Sequence, residues 1–319
     1  MSINDQVLAG ASPGLPSMGT TTDEAAGVPV QSLGLAALTW RRFRKHKLAL
    51  VGGVVIVMLA LAAILAPLIA PYDPNYGDFA AFNAAPSATH WLGTDFGGRD
   101  MLSRLLYGGR ISLLIGFTSM ITAISFGTFL GAVAGFFGGW VDNVIMRLTD
   151  VVLSFPLYLL LFVLSAFIAG ASGLQNLVMI VLIIVAVSWT FIARLVRGQF
   201  LSLKEQEFTQ AATALGVSPR RIILRHLLPN SVAPIVVNAT LLVGNNIILE
   251  SVLSFFGFGV QPPTSSWGSM LADGLPYQGS APWETIFPGL MILITVLSVN
   301  LLGDGLRDAL DPFSVKQVG

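Results

Sequence analysis

The chain has 319 residues, of which 54% are hydrophobic and only 11% charged, with a mean hydropathy of +0.76; an average soluble domain is about one quarter charged, so most of this chain is dissolved in lipid. Lys and Arg number 17 and Asp and Glu number 17, which leaves no basic excess to neutralise a nucleic-acid backbone. There is no Cys, hence no disulfide framework, thiolate nucleophile or Cys-based zinc site, and the three His (His46, His90, His226) lie far apart without an H-E-x-x-H pattern.

Residues 1–34 are rich in Gly, Ser, Thr, Pro and Ala and carry no Lys or Arg, so they read as a disordered tail and not as a signal-peptide n-region. The basic cluster Arg41, Arg42, Arg44, Lys45 and Lys47 follows, and then an apolar run from Leu48 to Ala70, long enough to cross roughly 30 Å of hydrocarbon. This is a start-anchor helix. Further apolar runs at about 112–137, 144–169, 176–196, 231–256 and 284–302 are each near the length a spanning helix needs. The expected fold class is therefore all-α, a polytopic membrane protein with six transmembrane helices.

Six spans put both ends on one side, and assigning Lys and Arg to alternating loops decides which. The N-terminal flank, Arg147, the stretch from Arg194 to Arg225, Arg307 and Lys316 together hold fourteen, against Arg99, Arg104 and Arg110 between spans one and two. That asymmetry places both termini in the cytoplasm. It divides the chain into a cytoplasmic tail (1–34), a unit of basic flank, first helix and extracytoplasmic cap (35–110), a core of five helices (111–312) and a short cytoplasmic tail (313–319). Within the second span Gly127, Gly131, Gly135 and Gly139 recur at intervals of four, a small-xxx-small ladder for close helix packing. Pro156 is expected to kink the third span, and Pro288 sits one turn into the sixth.

The cytoplasmic stretch 198–230 carries the most information, because its local signals agree on a helix, a sharp turn and a second helix. Glu205 and Glu207 lie at the positive end of the first helix, Gly216 suits its left-handed end, Ser218 and Pro219 start the second, and Pro229 is expected to close it. A hinged pair of short helices with small Ala211 and Ala212 beside the turn suits docking into a groove on another protein.

The run Ala211-Ala212-xxx-Gly216-x9-His226-x-Leu228-Pro229 resembles the EAA loop, E-A-A-x3-G-x9-I-x-L-P, of binding-protein-dependent ABC importer permeases. Gln210 stands where that pattern has Glu, and His226 where it has Ile, while Glu207 lies one turn earlier. Three further segments resemble the second membrane subunit of the peptide and nickel branch. They are the run from His90 through Asp95, Arg99, Asp100 and Ser103 to Arg104, the run Leu253 to Pro263 with Trp267-Gly268, and the run from Asn300 through Gly303, Asp304 and Arg307 to Pro312. The likeness covers roughly residues 38–313.

The resemblance implies a type I ABC importer permease in a bacterial or archaeal cytoplasmic membrane, forming half of a translocation path for di- or oligopeptides. Nickel chelates and glutathione are the alternatives. It implies a similar permease subunit, two ATP-binding cassette subunits that bind MgATP, and an extracytoplasmic solute-binding protein as partners. No G-x-x-x-x-G-K-[ST] loop occurs in this chain, which is therefore expected to be a non-catalytic subunit without a cofactor or metal of its own. The loop 198–230 would then be the coupling element, with Glu207, Gln210, Ala211, Ala212, Gly216, Arg220 and His226 facing or shaping the ATPase contact. His226, beside Arg225, reads as a packing or partner residue and not a proton relay.

Asn245, Asn246 and Glu250 are candidates for the path or a gate, with Glu250 alternatively a satisfied interhelical contact. Arg147 with Asp150, and Asp304 with Arg307, are three apart on helices and are expected to pair. The stretch from Asp95 to Arg110 is either a solvated loop or an ordered cap over the external mouth. Against this reading, a secondary transporter predicts charges deep within spans and broken helices in an internal repeat, and a membrane-embedded enzyme predicts a nucleophile with its base or a ligand set.

Overall fold

The computed structural model describes residues 35–167, 170–171 and 173–310. The proposed tails at 1–34 and 313–319, with Asp311 and Lys316, fall outside these residues. Among the described residues the secondary structure is helical, apart from two isolated β-bridges in the loop before residue 101. An amphipathic helix α1 (Leu35–Phe43) leads through a tight turn into α2 (Lys47–Ile64) and the short α3 (Ala66–Ile69). Then come α4 (Met101–Phe137), α5 (Gly139–Ser154), α6 (Leu157–Ala166), α7 (Gly173–Lys204), α8 (Glu207–Ala214) and α9 (Pro219–Ile222). A π-helical turn, Ile223–Leu227, joins α9 to α10 (Leu228–Phe255), followed by α11 (Trp267–Gly274) and α12 (Trp283–Leu310).

Five stretches are long and apolar enough to cross a membrane: α2, α4, α7, the continuous Pro219–Phe255 and α12. The third expected span is broken, with α5 and α6 meeting at 91°. Pro156 is the cause, since it has no N–H to donate and drives Phe155 into the extended region (φ −85, ψ 141). The second span also starts earlier than its apolar run, because Asp100 caps Met101–Phe137 by accepting from the Ser103 N–H. Arg104 and Arg110 accordingly sit on the helix and not in a loop. At 37 residues α4 is about 55 Å long and projects well beyond a ~30 Å hydrocarbon layer.

Packing is set by glycines where backbones cross. A Cβ on Gly127, Gly131 or Gly135 would lie 2.7, 2.4 or 2.7 Å from atoms of Trp189, Ala193 or Phe200, so three rungs of the ladder seat α4 against the parallel helix α7. Gly139 is not a fourth rung: its φ is +57, nothing lies within 4 Å of its Cβ position, and it opens α5. Gly116 admits Ile247 of α10, Gly303 admits Thr240 and Leu241, and Gly52 and Gly305 bring α2 and α12 together. α4 thus lies between α7 and α10, and α12 packs on both α10 and α2.

These crossings define two ends. At one, His46 faces Asp308, Arg197 pairs with Asp142, and the Lys204 ammonium donates to the Phe136 carbonyl. At the other lie the loop 70–100, the loop after α10, α11 and the start of α12.

Candidate functional site

The first end carries a protruding helix–turn–helix. α8 finishes in a Schellman motif: Gly216 takes φ +74, its N–H donates to the Thr213 carbonyl, and the Val217 N–H reaches back to Ala212. Ser218 then adopts the extended N-cap backbone and Pro219 opens α9, as the local signals require, although the Ser218 side chain makes no capping bond. Ala212, Ile222 and Leu227 are buried against Phe200 and Val196 of α7, which fixes the hairpin to the bundle. Glu207, Gln210, Ala211, Gly216 and Arg220 are exposed, as are the apolar side chains of Phe208, Leu215 and Leu224, the second of them at 83%. Gln210 donates to the Glu205 carbonyl, and half-buried His226 lies against the Phe208 ring.

Pro229 does not close this second helix. It occupies the first turn of α10, and the π turn before it widens the hydrogen-bond ladder where the proline N–H is missing, so the helix runs on from the hairpin to Phe255. The hairpin is therefore continuous with the membrane helix, α9 forming the first turn of the 37-residue stretch Pro219–Phe255.

The opposite end is an ordered cap. Asp95, 2% exposed, accepts from the backbone N–H groups of Gly97 and Arg99 through Oδ1, and through Oδ2 from the Arg99 Nε and an Arg104 guanidinium nitrogen. Arg104 extends to Asp273 of α11 at 3.5 Å, so one buried guanidinium ties the loop, α4 and α11 together. Burial pushes the Asp273 carboxyl above the usual aspartate range, against the pull of Arg104 and Arg99. His90 meets Asp100 at 3.0 Å, Ser103 accepts from the Tyr72 N–H, and the Trp283 indole donates to the Thr94 carbonyl. No group of three or more metal-ligating side chains occurs among the described residues.

Past α10, a second Schellman turn at Gly257 (φ +81) sends the chain back. Trp267, 2% exposed, fills the notch at Gly109 and donates to the Leu105 carbonyl, which locks α11 onto α4. The segments from His90, Leu253 and Asn300 that stood out in the sequence thus build the cap, this return and the glycine crossings of α12.

Between the helices, Glu250 is fully buried. It accepts from Ser112 of α4 and from Ser254 one turn along α10, so hydroxyls of two helices converge on one carboxyl, the geometry of an interhelical polar contact. Asn246 is likewise buried and accepts from Ser188 of α7. Asn245 alone of the three faces outward. Asn300 of α12 is exposed, with its Oδ1 3.6 Å from where a Cβ on Gly244 of α10 would sit, and Asn238 of α10 is half-buried; neither stands out in the sequence, because an isolated amide in an apolar run carries no directional signal.

The two expected i, i+3 ion pairs do not form. Asp150 is bound by Arg194 of α7 at 2.6 Å and Arg147 points outward, because a partner on the adjacent helix sits more directly in line than one on the same helix. Asp304 and Arg307 are both exposed without a mutual bond, and it is the neighbouring Asp308 that meets His46 at 3.4 Å. Arg307 instead lines a groove of about 420 Å³ beside Pro234, Val237, Asn238 and Leu241 of α10.

Comparison with known proteins bears on this architecture. Residues 127–315 match the family described as binding-protein-dependent transport system inner membrane component, and residues 34–86 match the N-terminal TM domain of oligopeptide transport permease C. A dipeptide transport system permease protein of Alkalihalophilus pseudofirmus is 44% identical over 297 residues, covering 91% of this chain and 95% of that one. A glutathione transport system permease protein of Pectobacterium atrosepticum is 44% identical over 86% of this chain and 89% of its own length. A putative peptide permease protein of Brucella suis is 40% identical over 88% and 92%. Among solved structures, an inward-facing methionine ABC transporter matches with a TM-score of 0.54 at 20% identity, covering 66% of this chain and 98% of that one, a likeness of fold.

Proposed function

The chain belongs to the family of binding-protein-dependent transport system inner membrane components, and from that membership we propose that it is one of two similar permease subunits around the path of an ATP-driven importer of short peptides. The exposed hairpin carries the proposal. A rigid, buried-footed helix–turn–helix that presents Phe208, Leu215 and Leu224 to solvent beside Glu207, Gln210 and Arg220 suits the cleft of a partner ATPase. Two such ATPase subunits would bind MgATP, since this chain has no phosphate-binding loop of the G-x-x-x-x-G-K-[ST] type. Their closure draws the two coupling hairpins together, and the continuous helix from Pro219 to Phe255 transmits that movement to the opposite end. Hydrolysis resets it.

In the proposed orientation the hairpin and both termini are cytoplasmic, in a bacterial or archaeal cytoplasmic membrane, and the cap of residues 70–100 meets the solute-binding protein outside. Exposed amides are costly against lipid, so Asn245 and Asn300 are assigned to the face shared with the second permease subunit and the path. Glutathione is the second reading, favoured by relatives of that name as similar as the dipeptide one. Copurifying the complex through a tag on this chain, reconstituting it with its binding protein and comparing uptake of labelled dipeptides and glutathione tests the substrate. ATP hydrolysis should follow the copurified subunits; hydrolysis by the rigorously isolated chain would overturn the assignment.

A further inference from the structure

The basic flank at the start of α2 has no role in the scheme above. Arg41, Arg44, Lys45 and Lys47 are exposed, and none makes an ion pair with a carboxylate among the described residues. They occupy a tight turn: the Arg44, Lys45 and His46 N–H groups close back onto the carbonyls of Trp40, Arg42 and Phe43, and His46 then caps α2 by accepting from the Ala49 N–H. Trp40 is 59% exposed and stacks on Phe43. α1 packs against α12, so the cluster is held at a fixed place by the bundle and is not a loose tail.

What adjoins this cluster is set by α2. Its buried residues Ala49, Gly52, Ile56 and Ala63 form one narrow stripe, and the rest of its surface exposes Leu48, Val51, Val54, Val57, Met58, Leu61 and Ile64. An outer face made wholly of aliphatic side chains fits acyl chains, and the four cations lie within one or two turns of where that face begins. An indole at the same level is the usual mark of the headgroup layer. We propose that the α1–α2 turn is a binding site for anionic phospholipid headgroups, whose phosphates Arg41, Arg44, Lys45 and Lys47 neutralise while Trp40 sits at the acyl boundary. The inference rests on α2 spanning the bilayer and is independent of what is transported. Near a membrane surface each Lys or Arg is worth roughly 1 kcal/mol, about a fivefold preference for an anionic over a neutral lipid before neighbouring charges saturate.

The test uses the full complex in proteoliposomes of phosphatidylcholine that contain either brominated phosphatidylglycerol or brominated phosphatidylcholine at equal mole fraction. The Trp40 signal is the difference between wild type and Trp40→Phe. Brominated phosphatidylglycerol should quench it several-fold more strongly, and the preference should collapse in Arg41→Gln/Arg44→Gln/Lys45→Gln and on raising salt from roughly 50 to 500 mM. The salt arm uses unmutated protein, so a variant that fails to insert leaves the outcome readable. Equal quenching by the two lipids, or a Trp40 that neither lipid reaches, would overturn the proposal. So would loss of the preference to soluble glycerol phosphate at constant ionic strength, which would make the site one for a free phosphate.

Discussion

Gly131→Ala tests the packing that fixes the hairpin's base. A Cβ there would lie 2.4 Å from the Ala193 carbonyl oxygen and 2.9 Å from the Val196 Cβ, where ordinary contact begins near 3.4 Å. The nearer obstacle is backbone and cannot swing aside, so α4 and α7 must part by about 1 Å along their length, and a gap of that size forfeits a quarter to a half of each dispersion contact it opens. Overpacking of this kind costs about 1–3 kcal/mol, and because the nearer obstacle is backbone the upper half of that range applies, about 2–3 kcal/mol; the better helix propensity of Ala returns at most about 1 kcal/mol, leaving a net loss of roughly 1–2 kcal/mol. Gly198→Ala on α7 is the control. Nothing lies within 4 Å of its Cβ position, so that change should be neutral or slightly stabilising. Scanning fluorimetry of the purified complex in one detergent should move the two midpoints in opposite directions or separate them clearly. Equal midpoints for Gly131→Ala, Gly198→Ala and wild type would refute the close approach of α4 and α7.

Arg104→Gln removes the guanidinium shared by Asp95 and Asp273 and should destabilise by about 3–5 kcal/mol, because Asp95 stays buried with less to compensate it; adding Asp95→Asn should recover part of that loss in the same unfolding assay. Glu250→Gln keeps an acceptor for one of the two serine hydroxyls and offers its amide N–H to the other, which can turn to accept, and should keep uptake, whereas Glu250→Ala leaves both hydroxyls unpaired at about 1–3 kcal/mol and opens a cavity, lowering the yield of folded complex. If Glu250→Ala folds normally but abolishes uptake, the carboxyl belongs to the path after all. Because the chain has no Cys, Gly216→Cys can be labelled singly. It should resist a membrane-impermeant maleimide in intact cells and react in inverted vesicles, and rapid labelling from outside would invert the topology.

How far the sequence could be read depended on whether a signal was local. Gly216, Ser218 and Pro219 specify their turn within a few residues, and the left-handed Gly216 with its Schellman bonds forms there. The apolar runs located the spanning helices for the same reason. Pro229 misled because whether a proline ends a helix depends on the turn before it, and the π turn at Ile223–Leu227 absorbs the missing donor. Ion pairing misled in the same way. Spacing along one helix suggested Arg147 with Asp150, whereas Arg194, 44 positions away, is the partner that tertiary packing supplies. The bridge from Arg104 to Asp273 spans 169 positions, and Glu250 reaches Ser112 across 138, separations at which a single sequence carries no pairing information. Three glycines of the ladder pack as their period of four requires, and Gly139 falls out because the helix has already ended at Phe137.

Gly216→Val tests most directly whether the hairpin from Glu207 to Ile222 couples ATP hydrolysis to movement of the path. Residue 216 has φ +74 with open space around its Cβ position, so Val meets no neighbour and acts through the backbone alone, at roughly 1–2 kcal/mol or more of strain relieved by changing the angle between α8 and α9. Gln210→Ala is the comparison, since its side chain makes only a neutral bond to the Glu205 carbonyl, worth about 0.5–1.5 kcal/mol. Uptake and ATP hydrolysis should be measured together in proteoliposomes holding the complete complex. The prediction is that Gly216→Val loses uptake, either with hydrolysis that continues unlinked to transport or with failure to retain the ATPase subunits, while Gln210→Ala keeps most of both. A Gly216→Val complex that assembles and transports like wild type would contradict it.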